Sequence, residues 1–284
     1  MPELPGVQHH FFDLRGLRMH VAEAGAGDPV LLLHGWPQNW WMWRGVIPRL
    51  AESHRVICPD LRGFGWSDAP PGRYEKETLA ADVLELLDLM GIERVDLIGH
   101  DWGGYIGFLL CQLHPERVRR FLALGTGPPW SDNDPKALLD AWRAGYQVLL
   151  STPLLGRELQ TRGHASFRAL VRPGARGSWS ALDEEIFLGG LRERARADVS
   201  VAIYRTFLTR EVPAILRGRY DKLPLAAPTL LLNGEHDPVL RPRMTRGVAA
   251  RSAQLTGETL PGLGHFIPDE APELVVQRAL EHFA

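Results

Sequence analysis

A short apolar run, Val95-Asp96-Leu97-Ile98, passes directly into Gly99-His100-Asp101-Trp102-Gly103-Gly104, and this junction constrains the chain more than any other segment. An apolar run bounded by turn residues reads as a strand covered on both faces. The Gly-x-Asp-x-Gly turn after it predicts a helix beginning near Tyr105. A strand, a sharp turn and a helix in that order make a nucleophile elbow, with Asp101 at the tip where serine is commoner. The exchange decides the chemistry. A serine alkoxide attacks carbonyl carbon. A carboxylate attacking an ester or amide would have to form a high-energy anhydride, but it can displace a leaving group from saturated carbon and become an alkyl ester. The elbow therefore predicts bond breaking at an alkyl carbon and disfavours an acyl hydrolase.

Strand and helix signals alternate around the elbow. Residues 9–14 and 17–23 flank Arg15-Gly16 as an antiparallel hairpin, while 29–33, 55–58 and 121–124 are short apolar runs of the same kind as 95–98. Leu79, Val83, Leu86, Leu87 and Met90 recur at helical spacing between Tyr74 and Gly91. The alternation resumes with a strand at 228–233, a helix near 241–251, a strand near 254–260 and a last helix at 272–283. The intervening stretch, 127–224, carries no strong strand signal and reads as helices broken by Pro153, Gly156, Pro173-Gly174 and Gly177. Within it, Thr161 to Ser178 is rich in Arg and Gly and reads as mobile. The pattern predicts an α/β core of residues 1–126 and 225–284. Residues 127–224 form a helical lid over the carboxyl ends of the strands, where ligands of parallel sheets bind.

With 284 residues, 45% hydrophobic and a formal net charge of −2, the chain can bury a large core and has no basic surplus to attract nucleic acid or anionic membrane. Cys58 and Cys111 lie in apolar runs and read as buried free thiols, which fits a reducing cytoplasm. No apolar run reaches the roughly 18 residues of a membrane span. The expectation is a cytoplasmic protein, monomer or homodimer, with no nucleic-acid or membrane partner.

A working elbow needs an oxyanion hole, a base and an acid that orients the base. His34-Gly35-Trp36-Pro37 follows the strand ending at Leu33, so the amides of Trp36 and Trp102 are the natural donor pair. Pro261-Gly-Leu-Gly-His265-Phe266 places a histidine after the last strand, and Asn233-Gly-Glu-His-Asp237-Pro238 places an acid after the one before. Singly each has a bland reading: Asp101 as a helix N-cap, His265 as a structural histidine, Asp237-Pro238 as a turn. Together, each just after a strand and in the order nucleophile, acid, histidine, they predict a triad. Glu235 is a substitute acid and His100 a packed part of the elbow. His9, His10, His54, His114, His164, His236 and His282 have no partner pattern. No spacing fits a metal site, no cofactor motif is present, and Gly63-Phe64-Gly65-Trp66-Ser67 lacks the ending of a phosphate loop. It reads as a tight turn, as do Gly25 and Gly27.

Gly99-His100-Asp101-Trp102-Gly103-Gly104, with His34-Gly35-Trp36-Pro37, Arg62-Gly63-Phe64-Gly65-Trp66-Ser67 and Gly264-His265-Phe266, resembles the epoxide hydrolase branch of the α/β-hydrolase superfamily over nearly the whole chain. The resemblance implies a mostly parallel, eight-stranded sheet with helices on both faces and an inserted lid. It also implies two lid tyrosines that donate to the opening epoxide oxygen. Tyr146 in Gly145-Tyr146-Gln147 and Tyr204 in Ile203-Tyr204-Arg205 match those places, whereas Tyr74, Tyr105 and Tyr220 do not. Trp36, Trp102, Tyr146 and Tyr204 would then contact a small apolar epoxide, and the lid residues Trp142, Leu149, Leu150, Phe167 and Phe187 suggest an apolar pocket without fixing which of them line it. Haloalkane dehalogenases share the elbow but often carry asparagine in place of Trp36, and fluoroacetate-cleaving relatives favour arginine in place of Trp102. Two alternatives stay open at this level: a dehalogenase using the same Asp-His-Asp set, with Trp102 and Trp142 or Trp179 as halide donors, and a ligand-binding protein without catalysis. Gln38 departs from the glutamate of many relatives.

Overall fold

A computed structural model describes residues 1–130, 145–162, 164–240 and 251–284. Eight strands form one sheet: β1 (Val7–Leu14), β2 (Leu17–Ala24), β3 (Asp28–Leu33), β4 (His54–Pro59), β5 (Val95–His100), β6 (Val118–Leu124), β7 (Thr229–Gly234) and β8 (Leu255–Leu260). Their order across the sheet is β1-β2-β4-β3-β5-β6-β7-β8. β2 runs antiparallel to both neighbours, with Leu14 opposite Leu17 at the hairpin, and every pairing from β4 to β8 is parallel. The parallel centre explains the unbroken apolar runs. All six residues of β5 are buried, whereas β8, at the sheet edge, hides only its two leucines and exposes Thr256, Gly257 and Thr259.

Helices pack around this sheet. The short α1 (Ile47–Leu50) follows β3, α2 (Lys76–Leu89) precedes β5, and α3 (Trp102–Leu113) follows it. α3 begins at Trp102, three residues earlier than the sequence predicts, because the turn is tighter than its glycines alone imply. The run Gly63–Ser67 is a tight turn: Gly63 and Gly65 have φ of 86° and 51°, and a Cβ on Gly65 would stand 2.1 Å from Asp60 Oδ2. Tyr74 and Tyr220 satisfy their hydroxyls on the Pro70 carbonyl and Glu77.

Between β6 and β7 the described residues form α4 (Gly145–Ser151), α5 (Pro153–Thr161), α6 (His164–Ala175), α7 (Ala181–Leu188), α8 (Arg194–Thr206) and α9 (Val212–Leu216), and no strand. A π-helical turn, Phe207–Glu211, joins α8 to α9. Pro153 does begin a helix, but two of the expected breakers sit inside helices. Pro173 lies two residues before the end of α6, so its missing N–H removes one bond near the end of the helix. Gly156 lies in the first turn of α5, where a Cβ would stand 2.2 Å from the Leu150 carbonyl oxygen, so glycine lets α5 start tightly against α4. Within the Arg- and Gly-rich stretch, α6 is held where Arg172 donates to Glu184 of α7 (2.6 Å). After β8 come α10 (Ile267–Glu270) and α11 (Pro272–Phe283), which buries Val275, Val276 and Ala279. The helix expected near 241–251 falls almost wholly outside the described residues, and no described helix is long and apolar enough to cross a membrane.

Candidate active site

The elbow forms because backbone must approach backbone. A Cβ on Gly103 would lie 2.2 Å from the Leu33 carbonyl oxygen, and one on Gly99 2.6 Å from that of Gly103. Between them Asp101 takes φ 49° and ψ −119°, a conformation that costs an L-residue on the order of 1–3 kcal/mol. Its backbone offsets the strain. Asp101 N–H donates to Leu124 O (3.1 Å), and its carbonyl accepts from Tyr105 N–H (3.0 Å) and Thr126 Oγ1 (2.9 Å). Asp101 occupies the N-cap position of α3, but its side chain makes no capping bond. Its Oδ2 accepts instead from the Trp36 amide at 2.9 Å. Burial raises the Asp101 carboxyl above its ordinary value, while His265 and the amides of Trp102 and Trp36 pull it back.

His265 and Asp237 arrive from the neighbouring strand ends. The loop after β8 presses on the end of β7, where a Cβ on Gly234 would stand 2.0 Å from the Gly264 carbonyl oxygen. His265 Nδ1 lies 2.8 Å from Asp237 Oδ2, and its Nε2 lies 4.0 Å from Asp101 Oδ1. Asp237 is fully buried, and its Oδ1 accepts from the amides of Val239 (2.6 Å) and Leu240 (2.9 Å). A carboxylate fixed in this way must accept from His265, so the imidazole carries a proton on Nδ1. Burial works against a charge on His265, but Asp237, by charge and hydrogen bond, and then Asp101 outweigh it and raise the imidazole to about 9. Glu235, the substitute acid, is half exposed and accepts from the Gly262 amide. His100 is buried and its Nε2 donates to the His265 carbonyl at 2.8 Å, which splints the elbow to the histidine loop.

One cavity of about 260 Å³ is lined by Asp101 and His265, by Trp36, Tyr146 and Tyr204, and by Leu170, Val171, Pro173, Gly174, Pro238, Val239 and Phe266. The rings of Tyr146 and Tyr204 meet edge to face, with centroids 6.0 Å apart. Burial raises both phenols well above their ordinary value, and the Asp101 charge adds to it. They therefore stay protonated donors at any working pH. Tyr204 also packs edge-on against Trp36 (5.2 Å) and Trp102 (5.7 Å). Most of the apolar lid residues singled out in the chain pack elsewhere. Phe167 is spent against Trp36 (5.6 Å) and Phe187 against Trp179 (5.0 Å), and neither they nor Leu149 and Leu150 line the cavity. Trp142 lies outside the described residues. α6 presents Leu170, Val171, Pro173 and Gly174 instead, because Phe167 sits one turn earlier, on the face that meets Trp36.

Two contributors escape a reading by motif. Ser200 accepts the Trp36 indole N–H at 2.6 Å, which removes that N–H as a halide donor. Gln38 donates to Asp269 Oδ2 (2.6 Å), and Arg44 (2.5 Å) and Trp179 (3.2 Å) donate to the same carboxylate. Gln38 thus ties the His34–Pro37 loop to the helix that follows His265. Phe266 and Val239 line the cavity through adjacency to His265 and Asp237, a signal the motifs did contain. Among the described residues no group of three or more His, Cys, Asp or Glu could hold a metal ion.

Comparison with known proteins bears on the same geometry. A family model described as "alpha/beta hydrolase fold" matches residues 28–272. The chain is 32% identical over 288 residues to a soluble epoxide hydrolase of Corynebacterium sp. (strain C12), with 98% of each chain covered. It is 27% identical to the bifunctional epoxide hydrolase 2 of Mus musculus over 95% of this chain, and spans 54% of that protein. Among solved structures, the epoxide hydrolase CorEH without ligand superposes with a TM-score of 0.86 at 28% identity, covering 98% of both chains. An aspartate at the tip of the bend, in a sheet of this order and with likeness along its whole length, leaves one conclusion: the chain belongs to the α/β-hydrolase fold family and, within it, to the epoxide hydrolases.

Proposed function

We propose that this chain hydrolyses a small apolar epoxide to a vicinal diol through an ester on Asp101, with the helices inserted between β6 and β7 acting as a lid. One observation carries the reading above all: a buried carboxylate, an imidazole and two protonated phenols line a single cavity whose other walls are mostly apolar. Asp101 Oδ1 attacks one epoxide carbon, the C–O bond breaks, and Tyr146 and Tyr204 donate to the departing oxygen. The alkoxide takes a proton from a phenol, which solvent then restores. Asp101 Oδ2, already held by the Trp36 amide, becomes the carbonyl oxygen of the ester. Water deprotonated by His265 adds to the ester carbon, the oxyanion forms on Oδ2 between the amides of Trp36 and Trp102, and the diol leaves with Oδ1. General-base help of this kind is worth about 10²–10⁴-fold and one oxyanion donor about 10²–10³-fold.

The charge of His265 fits two half-reactions. In the resting site its imidazolium sits between two carboxylates and neutralises part of their repulsion. Alkylation erases the Asp101 charge, one of the causes that hold the imidazole near 9, so His265 becomes a better-populated base when a base is needed. The rate of ester hydrolysis should rise with pH to a plateau, with a midpoint below 9, as read by single-turnover decay of the ester. Trp179, one of the halide donors a dehalogenase would use, gives its indole N–H to Asp269 instead (3.2 Å), and a non-catalytic binder has no use for a strained aspartate at 4.0 Å from an imidazole. The buried free thiols Cys58 and Cys111 fit a cytoplasmic setting.

Intact-mass measurement of His265→Gln after exposure to styrene oxide tests the reading. One covalent adduct on Asp101 is expected. A folded variant that forms none, while the wild type makes diol, would defeat the mechanism. Tyr146→Phe with Tyr204→Phe should abolish opening, and unchanged turnover would point to alkyl halides as substrates instead.

A further inference from the structure

Lys76 stands between Glu75 and Glu77 at the start of α2, a setting that reads as solvated helix surface, yet its side chain is fully buried. Its Nζ donates to Glu211 Oε2 (2.8 Å) and to the Ile203 carbonyl (3.0 Å), and its backbone N–H donates to Glu211 Oε1 (2.8 Å). The same ammonium lies 4.1 Å from the centre of the Trp102 ring and 5.0 Å from that of Phe207. Glu211 is itself buried, at 6% exposure. These contacts converge on the two sides of the site. Trp102 follows Asp101 in the core, and Ile203 precedes Tyr204 in the inserted helix α8. Glu211 and Phe207 are the two ends of the π-helical turn. The Trp102 ring also meets Phe207 edge to face at 4.8 Å.

A buried ion pair is a poor source of stability. Apolar residues of the same volume often hold the same packing equally well, because desolvating both charges consumes most of the attraction. A charged pair retained here is better explained by the geometry it fixes. An ammonium has three directed donors and also attracts an indole face when desolvated, so it can bind a main-chain carbonyl and a ring at once. Methionine or leucine could fill the space but could not hold that carbonyl. The π turn, a departure from regular helix that recurs at functional sites, brings Glu211 to the ammonium, and Ile203 O accepts from the Phe207 N–H and the ammonium together.

We propose that Lys76 is a positioning residue for epoxide opening: its ammonium ties the carbonyl beside Tyr204 to the face of the Trp102 indole and so sets the phenol's place relative to Asp101. This rests on the reading of Tyr204 as a donor to the epoxide oxygen. An ion pair that merely anchored the inserted helices would change thermal stability, but would not act through Tyr204.

The test is a double-mutant cycle on the rate of ester formation, followed by rapid-quench intact mass with styrene oxide. Lys76→Met and Tyr204→Phe are measured singly and together. Lys76→Met is expected to slow ester formation about tenfold or more, to leave ester hydrolysis within about twofold, and to lose most of its effect in the Tyr204→Phe background. Should Lys76→Met strand Glu211 and fail to fold, Lys76→Met with Glu211→Leu removes the charge pair altogether and takes its place in the cycle. Ester formation at the wild-type rate, or an equal loss with and without the Tyr204 hydroxyl, overturns the proposal. Tyr204→Phe opening epoxide as fast as the wild type would overturn the reading beneath it, and the proposal with it. A Tyr204→Phe defect without a Lys76 defect overturns the proposal alone.

Discussion

At the scale of single residues, the site depends on atoms that are missing as much as on those present. Gly103 sits where a Cβ would press on the Leu33 carbonyl oxygen at 2.2 Å, and neither partner is a flexible side chain that could yield. Gly103→Ala is therefore expected to cost about 1–3 kcal/mol or more, as at overpacked core positions, and to misplace Asp101, both visible in urea unfolding and diol assays. Gln38→Leu should cost about 1–3 kcal/mol, because Asp269 loses one of its donors and stays buried. A neutral change in unfolding free energy would remove Gln38 from that role. Asp101, Asp237 and His265 were legible in the chain because each ends a strand in a turn that suits its chemistry. Lys76 and Ser200 were not. Their partners lie more than a hundred residues away, and nothing local distinguishes Lys76 from a solvated lysine between two glutamates.

At the scale of elements, strands were easier to read than the inserted helices. A strand in a parallel sheet is buried on both faces and announces itself as an apolar run, and β3 to β7 all do so. The helices between β6 and β7 share their apolar residues among the core, the cavity and one another, so which face meets the substrate is not written in their spacing. α6 shows the consequence: Phe167 packs on Trp36, and its last turn supplies Pro173 and Gly174 to the cavity. A Cβ on Gly174 would meet the Phe266 ring at 3.0 Å. Gly174→Val should therefore narrow the cavity against Phe266 and raise KM for an aryl epoxide about tenfold relative to propylene oxide, one branched side chain being worth about 1–3 kcal/mol of discrimination. Equal changes for both substrates would show that this turn does not set the size limit.

At the scale of the whole molecule, the charged groups of the site tie stability to pH. His265 is raised from 6.5 to about 9 in the folded chain, so the folded state holds its proton more tightly than the unfolded state does. That contribution is complete below 6.5 and is lost as pH climbs through about 9. The urea midpoint of the wild type should therefore fall across this window, and His265→Gln should flatten the fall. A wild-type midpoint that rises with pH there would contradict the sign. The raised Asp101 carboxyl carries the same sign, since its ionised form is the one burial penalises: it too costs stability as pH rises through its folded value, but in more acid solution.

What the sequence determined by itself was the order of strands and turns, and with it the residues that could stand at strand ends. Apolar periodicity and turn chemistry are local properties, and they suffice for that. The tertiary structure alone decided which side chains share one cavity, which aromatics are consumed in packing, and which lysine is buried beneath the site. Those outcomes depend on contacts between segments far apart in the chain, and the free energy of such contacts is carried by burial and geometry that no short stretch of residues contains.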